Sequence, residues 1–272
     1  MKVKDIYNFM KTIAPEEMAM ETDNVGLLVG KTEADVSKVL IALDITSDVI
    51  SEAIDSGAEL IVAHHPLFFS LKTVTDTDIT GKKIVQMLSN GVSCICMHTN
   101  LDAVSDGVND ALAIAVGIAD KTGKADPLSD SVRLGSGDVV SLGRVGFLSK
   151  EYTMPEFLAS VQKALGANGL RYYDAGRNVY KVAIASGSGG AEWENAIKSG
   201  CDTFVTADIK YHMFLDAKEL GINLVDGGHY CTENVISCVL AEKLCAAFPE
   251  TKIIISKALD QTIKFYKQGE LK

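Results

Sequence analysis

Glu59-Leu-Ile-Val-Ala-His-His-Pro66 decides the fold: an apolar run of strand length ends on two histidines and a proline. A run this short and uninterrupted suits a strand buried on both faces, as strands inside parallel sheets are. Its neighbours share the pattern. Lys38-Val-Leu-Ile-Ala-Leu43 upstream and Val92-Ser-Cys-Ile-Cys-Met97 downstream are also apolar, and the second runs straight into His98. The segments between them, 47–55 and 81–90, read as helices, the first closed by Gly57. Strands alternating with helices of this length require right-handed crossovers and a mainly parallel sheet.

Outward from this core, Ile6, Phe9, Met10 and Ile13 fall at helical spacing and Pro15 stops the pattern, which predicts a helix over 4–14. A further helix is expected over 106–116. The second half repeats the rhythm: strand 181–185, helix 191–198, strand 203–206, helix 211–219, strand 222–225 leading into Gly227-Gly228-His229, and helix 233–247. His98-x-x-x-Asp102 in the first half stands where His229-x-x-x-Glu233 stands in the second, an architectural duplication weak in sequence identity. Residues 121–138 are rich in Gly, Ser, Asp and Lys and read as a linker; strand 139–148 and helix 155–165 then open a second unit. Strand 252–256 returns to the first sheet. The expected architecture is two similar, interleaved α/β units with mainly parallel or mixed sheets. The expected boundaries are 1–126 plus 222–272 for the metal-binding unit and 127–221 for the other.

Composition narrows the function. The 272 residues include 36 acidic and 26 basic side chains, a net charge of −10, which argues against a partner that is nucleic acid or an anionic membrane. At 47% hydrophobic and 23% charged, the chain can bury a sizeable core and is not disordered. Its longest apolar stretch, 111–119, is far below the roughly 18 residues needed to cross a bilayer. Lys2, Lys4, Asp5 and Lys11 leave no signal-peptide core at the N-terminus, so a cytoplasmic location is expected. Cys94, Cys96, Cys201, Cys238 and Cys245 read as reduced and structural, with Cys231 set apart because it lies in a motif.

Four of the five histidines lie at or just past strand ends, where open α/β sheets build their sites. Mid-strand, His64 and His65 would point to opposite faces. Beyond the strand end, Pro66 holds His65 extended, and the pair can splay toward neighbouring targets. His98 with Asp102, and His229 with Glu233, add two imidazole–carboxylate pairs, the usual donors for zinc, iron or manganese. Gly227 and Gly228 would deliver His229 by a tight turn, with Thr232 expected to cap the helix starting at Glu233.

Asp23-Asn-Val-Gly-Leu-Leu-Val-Gly30, Ala63-His-His-Pro-Leu-Phe-Phe69, His98-Thr-Asn-Leu-Asp102 with Gly107-Val-Asn109, and Asp208-Ile-Lys-Tyr-His212 followed by Gly228-His-Tyr-Cys-Thr-Glu233 together resemble the NIF-three-like family, whose members are also labelled GTP cyclohydrolase I type 2 homologues. The blocks span nearly the whole chain in the family's order. The resemblance implies a dinuclear metal site in the cleft of a two-domain α/β subunit, two divalent ions per chain, and a ring-shaped homohexamer. Carried over by position, the implied ligands are His64, His65, Asp102, His229 and Glu233. Glu233 would bridge, His64 and Asp102 would complete one metal, and His65 and His229 the other. Thr22 stands where the family often has Trp, and the gap from Asp102 to His229 leaves no room for the domain that longer relatives insert.

Two divalent ions carry four positive charges, of which Asp102 and Glu233 cancel two. The surplus would lower the pKa of a bound water and attract a small anionic substrate. This points to metal-assisted hydrolysis of a phosphorylated or nucleotide substrate, with GTP-type ring opening as one form and phosphoester hydrolysis as another; a metal-binding scaffold or regulator is the non-catalytic alternative. His212, on the loop that matches the His64-His65 tip, is the expected general acid/base. His98 reads either as a proton carrier or partner beside Asp102, or as a strand-end histidine with no such part. Ser186-Gly-Ser-Gly-Gly190 offers N–H groups to a phosphate or simply makes a tight turn.

Overall fold

The computed structural model describes residues 1–119, 124–129, 132–134, 136–258 and 261–266. In chain order the first elements are α1 (Val3–Ile13), β1 (Gly26–Val29), β2 (Lys38–Ala42), α2 (Ser47–Ser56), β3 (Leu60–Ala63), α3 (Ile79–Ser89), β4 (Ser93–Cys96), α4 (Thr99–Ala103) and α5 (Val108–Val116). There follow β5 (Asp126–Pro127), β6 (Val132–Arg133), β7 (Val139–Val140), β8 (Arg144–Tyr152), α6 (Met154–Leu165), β9 (Arg171–Tyr173) and β10 (Val179–Ile184). The last are α7 (Trp193–Lys198), β11 (Thr203–Thr206), α8 (Tyr211–Leu220), β12 (Asn223–Asp226), α9 (His229–Glu233), α10 (Val235–Ala247) and β13 (Lys252–Ile255).

The chain divides into two compact units. One comprises Met1–Gly107, Arg133–Asp138 and Ile236–Asp260; the other comprises Val108–Val132, Val139–Val235 and Gln261–Lys272. The sequence placed 222–272 with the first unit, whereas β12 hydrogen-bonds into the second sheet and only Ile236–Asp260 joins the first. The expected linker over 121–138 lies partly outside the described residues.

The first unit holds a five-stranded sheet in the order β1-β4-β3-β2-β13. Strands β13, β2, β3 and β4 run parallel, and β1 pairs antiparallel with β4. Every residue of β3 and β4 is buried, which is why both read as continuous apolar runs. Helix α2 is capped at both ends: Thr46 accepts from the Val49 N–H at 3.1 Å, and Gly57 takes the left-handed conformation, φ 69°, that closes it. Its Val49, Ile50 and Ala53 pack on Leu40, Ile61 and Ala63, and each fully buried Val, Leu or Ile side chain contributes about 1.5–3 kcal/mol.

The second unit holds a six-stranded sheet in the order β5-β8-β10-β11-β12-β9. Strands β10, β11 and β12 run parallel, with antiparallel β8 beside β10 and antiparallel β9 beside β12. Both sheets therefore share a motif: three parallel strands, with an earlier antiparallel strand against the third. At one edge they differ, since β2 takes parallel β13 where β10 takes antiparallel β8.

Three expected elements differ in their bounds or continuity. Helix 106–116 begins only at Val108, because Gly107 lies tight against the Leu101 and Val104 carbonyls and the chain turns there, leaving α4 as a separate short helix. Strand 139–148 breaks at Gly143, where Leu128 and the Ile184 carbonyl leave no room for a Cβ. The helix expected from Glu233 is two: α9 starts at His229 with Gly228 (φ 82°) as its N-cap, so Thr232 is an interior residue and not a cap. Among the described residues, no helix is long and apolar enough to cross a membrane. Burial raises the Cys96 thiol well above its ordinary range and Cys201 to about 11, as for inert, structural cysteines, whereas Cys238 and Cys245, read the same way from sequence, are exposed on α10.

Candidate functional site

In the first unit the chemistry collects at the C-terminal ends of β3 and β4. His64 and His65 follow β3 directly, and the His65 N–H donates to the Leu43 carbonyl at 2.9 Å, which fixes the backbone just past the strand. His98 follows β4 and occupies the N-cap position of α4, without a capping side-chain hydrogen bond. The His64 ring centroid lies 4.9 Å from that of His65 and 5.1 Å from that of His98. One ring nitrogen from each of the three falls within 4.8 Å of the others. His64 is fully buried, and its Nε2 stands 3.8 Å from Asp102 Oδ1 on α4.

Each of these rings has an oxygen acceptor on Nδ1. His64 Nδ1 meets the Met97 carbonyl at 2.8 Å, His65 Nδ1 meets Asp44 Oδ1 at 2.7 Å, and His98 Nδ1 meets Asp23 Oδ1 at 2.9 Å. A carbonyl or carboxylate oxygen can only accept, so the proton of each neutral ring sits on Nδ1 and the lone pair on Nε2. Such backing is typical of metal-ligating histidines, because it fixes the tautomer and raises the ligand's basicity.

Asp23 belongs to a motif whose place spacing alone did not give. It accepts from His98 and from the Thr99 N–H at 3.0 Å and hydroxyl, while Asn24 Nδ2 donates to the Phe68 carbonyl at 2.7 Å. Burial by itself would raise the Asp23 carboxyl, but the His98 and Thr99 hydrogen bonds outweigh it and hold the group well below the usual carboxylate range. Asn100 anchors α4 by donating to the Ala14 carbonyl at 2.9 Å.

The second unit builds a counterpart past β12. Gly228 turns the chain into α9, which presents His229 and Glu233 one turn apart, with His229 Nε2 3.0 Å from Glu233 Oε2. His229 Nδ1 meets Asp208 Oδ2 at 2.7 Å. Asp208 follows β11 in a left-handed backbone conformation, φ 52°, uncommon for a non-glycine residue but tolerated by aspartate. The Glu233 hydrogen bond, opposed by burial and aided by the charges of Glu233 and Asp208, lifts His229 to about 9. A ring of that basicity in a two-carboxylate setting is also a strong cation ligand once its proton leaves.

Glu233 is buried, and Gly187 makes room for it: a Cβ at Gly187 would fall on Oε1 and stand 2.8 Å from Cδ and 3.2 Å from His229 Nε2. The 186–190 loop is thus a cradle for Glu233. Its Ser186 N–H donates to Asn109 Oδ1 at 2.9 Å and its Gly187 N–H to Thr232 Oγ1 at 3.0 Å, so neither serves a phosphate here.

The structure therefore sets His64, His65, His98 and Asp102 together in one unit and His229 with Glu233 in the other. His98 stands closer to the His64-His65 pair than its spacing from Asp102 indicated. His212 is on the first turn of α8, exposed, in a pocket of about 260 Å³ that it shares with Asp208, the partner of His229. Sequence reasoning missed Asp44 as the partner of His65. The signal lies in register: Ala42 pairs with Ala63, so the residues two further on, Asp44 and His65, emerge side by side. The donor set, imidazoles backed by oxygen acceptors with two buried carboxylates, fits a borderline divalent ion such as zinc, iron or manganese.

Two mixed α/β sheets whose parallel strands end in such imidazoles define a candidate metal-binding α/β protein. The chain belongs to the Duf34/NIF3 (NGG1p interacting factor 3) family, whose model matches residues 1–261. A Clostridium perfringens protein named GTP cyclohydrolase 1 type 2 homolog is 36% identical over 273 residues, covering 97% of this chain and 100% of its own. Among solved structures, a Bacillus cereus protein related to NIF3 superposes with a TM-score of 0.86 at 25% identity, covering 98% of this chain and 99% of that one. Reduced HcgD from Methanocaldococcus jannaschii does so with a TM-score of 0.78 at 29% identity, covering 94% and 98%.

Proposed function

We propose that the protein is a cytoplasmic, dinuclear metal-dependent hydrolase acting on a small phosphorylated or nucleotide substrate, with His64, His65, Asp102, His229 and Glu233 as its metal ligands. The observation that carries this reading is the shared arrangement of the histidines: His65 and His229 each set Nδ1 against a carboxylate, and His64 sets it against a carbonyl. That arrangement prepares all three rings to ligate through Nε2. Two divalent ions held by these residues would supply Lewis-acid polarisation and activate water near neutral pH.

The chain's own residues do the remaining work. Asp102 and Glu233 would offset part of the cations' charge, Glu233 as the ligand common to both, and the surplus would draw an anionic substrate toward an otherwise acidic protein. Asp44 and Asp208 hold His65 and His229 in orientation. His212 serves as general acid/base, taking up or delivering a proton at the reacting group, and His98, fixed by Asp23, is the second proton carrier. The name shared by the bacterial relatives favours opening of a GTP-type ring with release of formate, and the family resemblance favours a homohexamer.

The test is a substrate panel of nucleotides and phosphoesters, followed by formate and phosphate release. Turnover that disappears in His64→Ala supports the reading. Full metal occupancy with no turnover on any substrate would leave a metal-binding scaffold instead.

A further inference from the structure

The second unit holds a pocket of about 260 Å³ that the proposed ligands do not line. Its wall includes Trp193, Lys210, His212 and Asp216 as well as Asp208. Trp193 opens α7 and is the only tryptophan in the chain. It packs against the core formed by Ala196, Phe204 and their neighbours while still lining the pocket, so one side of the indole is held in place. An aromatic supported in this way is a stacking platform for a planar ring. Lys210 is exposed at the N-cap position of α8, where the helix's first N–H groups add to its positive charge. Asp216 lies one turn after His212 on the same helix and puts a half-buried carboxylate on the wall. A carboxylate accepts only, so its natural partners are N–H or O–H donors on a ligand.

An aromatic face, a cation and an acceptor around a volume just below the usual ~300–1,000 Å³ of small-molecule sites suit a compact ligand with a ring, an anion and ring-edge donors. We propose that this pocket binds a nucleoside monophosphate-sized ligand, with its base against Trp193, the amino edge of the base read by Asp216 and its phosphate met by Lys210. Asp208 connects the pocket to the candidate metal ligands, since it lines the pocket and holds His229 Nδ1 at 2.7 Å. The inference rests on the hydrolase reading only in naming that reading's substrate class.

The single tryptophan makes the pocket its own reporter. The full-length protein as isolated is titrated with adenosine and guanosine monophosphate and, separately, with inorganic phosphate, and Trp193 emission is followed. The expected result is a saturable change with at least one nucleotide and none with phosphate. Lys210→Ala and Asp216→Asn, both on the surface helix, are each expected to weaken that binding by about tenfold, the scale of one lost charge-assisted hydrogen bond. A silent tryptophan with every nucleotide, an equal response to phosphate alone, or unchanged affinity in both variants overturns the proposal. Formate and phosphate release is measured on the same samples. Nucleotide binding without turnover counts against the hydrolase and leaves the pocket standing; turnover on another substrate with Trp193 silent does the reverse.

Discussion

Replacing Gly187 with alanine separates a structural glycine from one that shapes the candidate site. In the native chain Gly187 has φ 54°, its N–H donates to Thr232 Oγ1, and its missing Cβ leaves the space that the Glu233 carboxylate fills. Alanine in a left-handed conformation costs about 1–2 kcal/mol by itself. Gly166 is the matched control, with φ 60° and nothing within 4 Å of a Cβ, so Gly166→Ala carries the strain alone. At about 2–4 °C per kcal/mol for a chain of a few hundred residues, the control should lower Tm by a few degrees. Gly187→Ala adds a collision. From 2.8 Å, the Glu233 Cδ must retreat by at least about 0.7 Å to regain an ordinary carbon–carbon separation, more than the roughly 0.5 Å that a working ligand site tolerates. Metal affinity, read by competition with a chromogenic chelator, should therefore fall by about 10–100-fold or more in Gly187→Ala and stay native in Gly166→Ala. If both variants lose the same few degrees and both bind metal as the native chain does, Glu233 is not a ligand and the cradle has no part in the site.

Further expectations follow from the hydrogen bonds to the imidazoles. Asp44→Asn and Asp208→Asn should each weaken metal binding by about 10–100-fold with little change in Tm, since they release His65 and His229 from their oriented tautomers; calorimetric titration showing native affinity in both would remove that role. His212→Gln should keep metal content but reduce turnover by about 10² or more, and retained turnover would move the proton role to His98. Asp23 titrates below its ordinary value of 3.8 in the folded chain, so the stability it contributes is present above that pH and is lost as pH falls through the lower folded value. Acid unfolding of Asp23→Asn followed by circular dichroism should accordingly be less steep below about pH 4, and an unchanged profile would mean that the His98–Asp23 pair does not couple to folding.

The parallel strands β2, β3 and β4 were legible because burial on both faces leaves no polar alternation, so an apolar run bounded by helices has one natural reading. The short antiparallel strands β1 and β9 were not, because they run only from Gly26 to Val29 and from Arg171 to Tyr173 and owe their extension to β4 and β12. The break at Gly143 likewise depends on distant residues, Leu128 and the Ile184 carbonyl, pressing on a glycine, which no local pattern announces. Of the site, the histidines were legible from their strand-end positions. Their backing was not: Asp44 meets His65 through strand register, Asp23 meets His98 across 75 positions, and Asp208 needs a left-handed backbone to reach His229. The role of Gly187 was hidden for the same reason, since a Ser-Gly-Ser-Gly-Gly loop looks alike whether it receives a phosphate or a glutamate from its own chain.

Whether Glu233 is common to two ions is read by elemental analysis of the purified full-length protein beside Glu233→Gln. The native chain should hold about two divalent ions, because five ligands are too many for one tetrahedral ion, and the variant should lose metal clearly. A single tightly bound ion per chain, present to the same extent in Glu233→Gln, would contradict it.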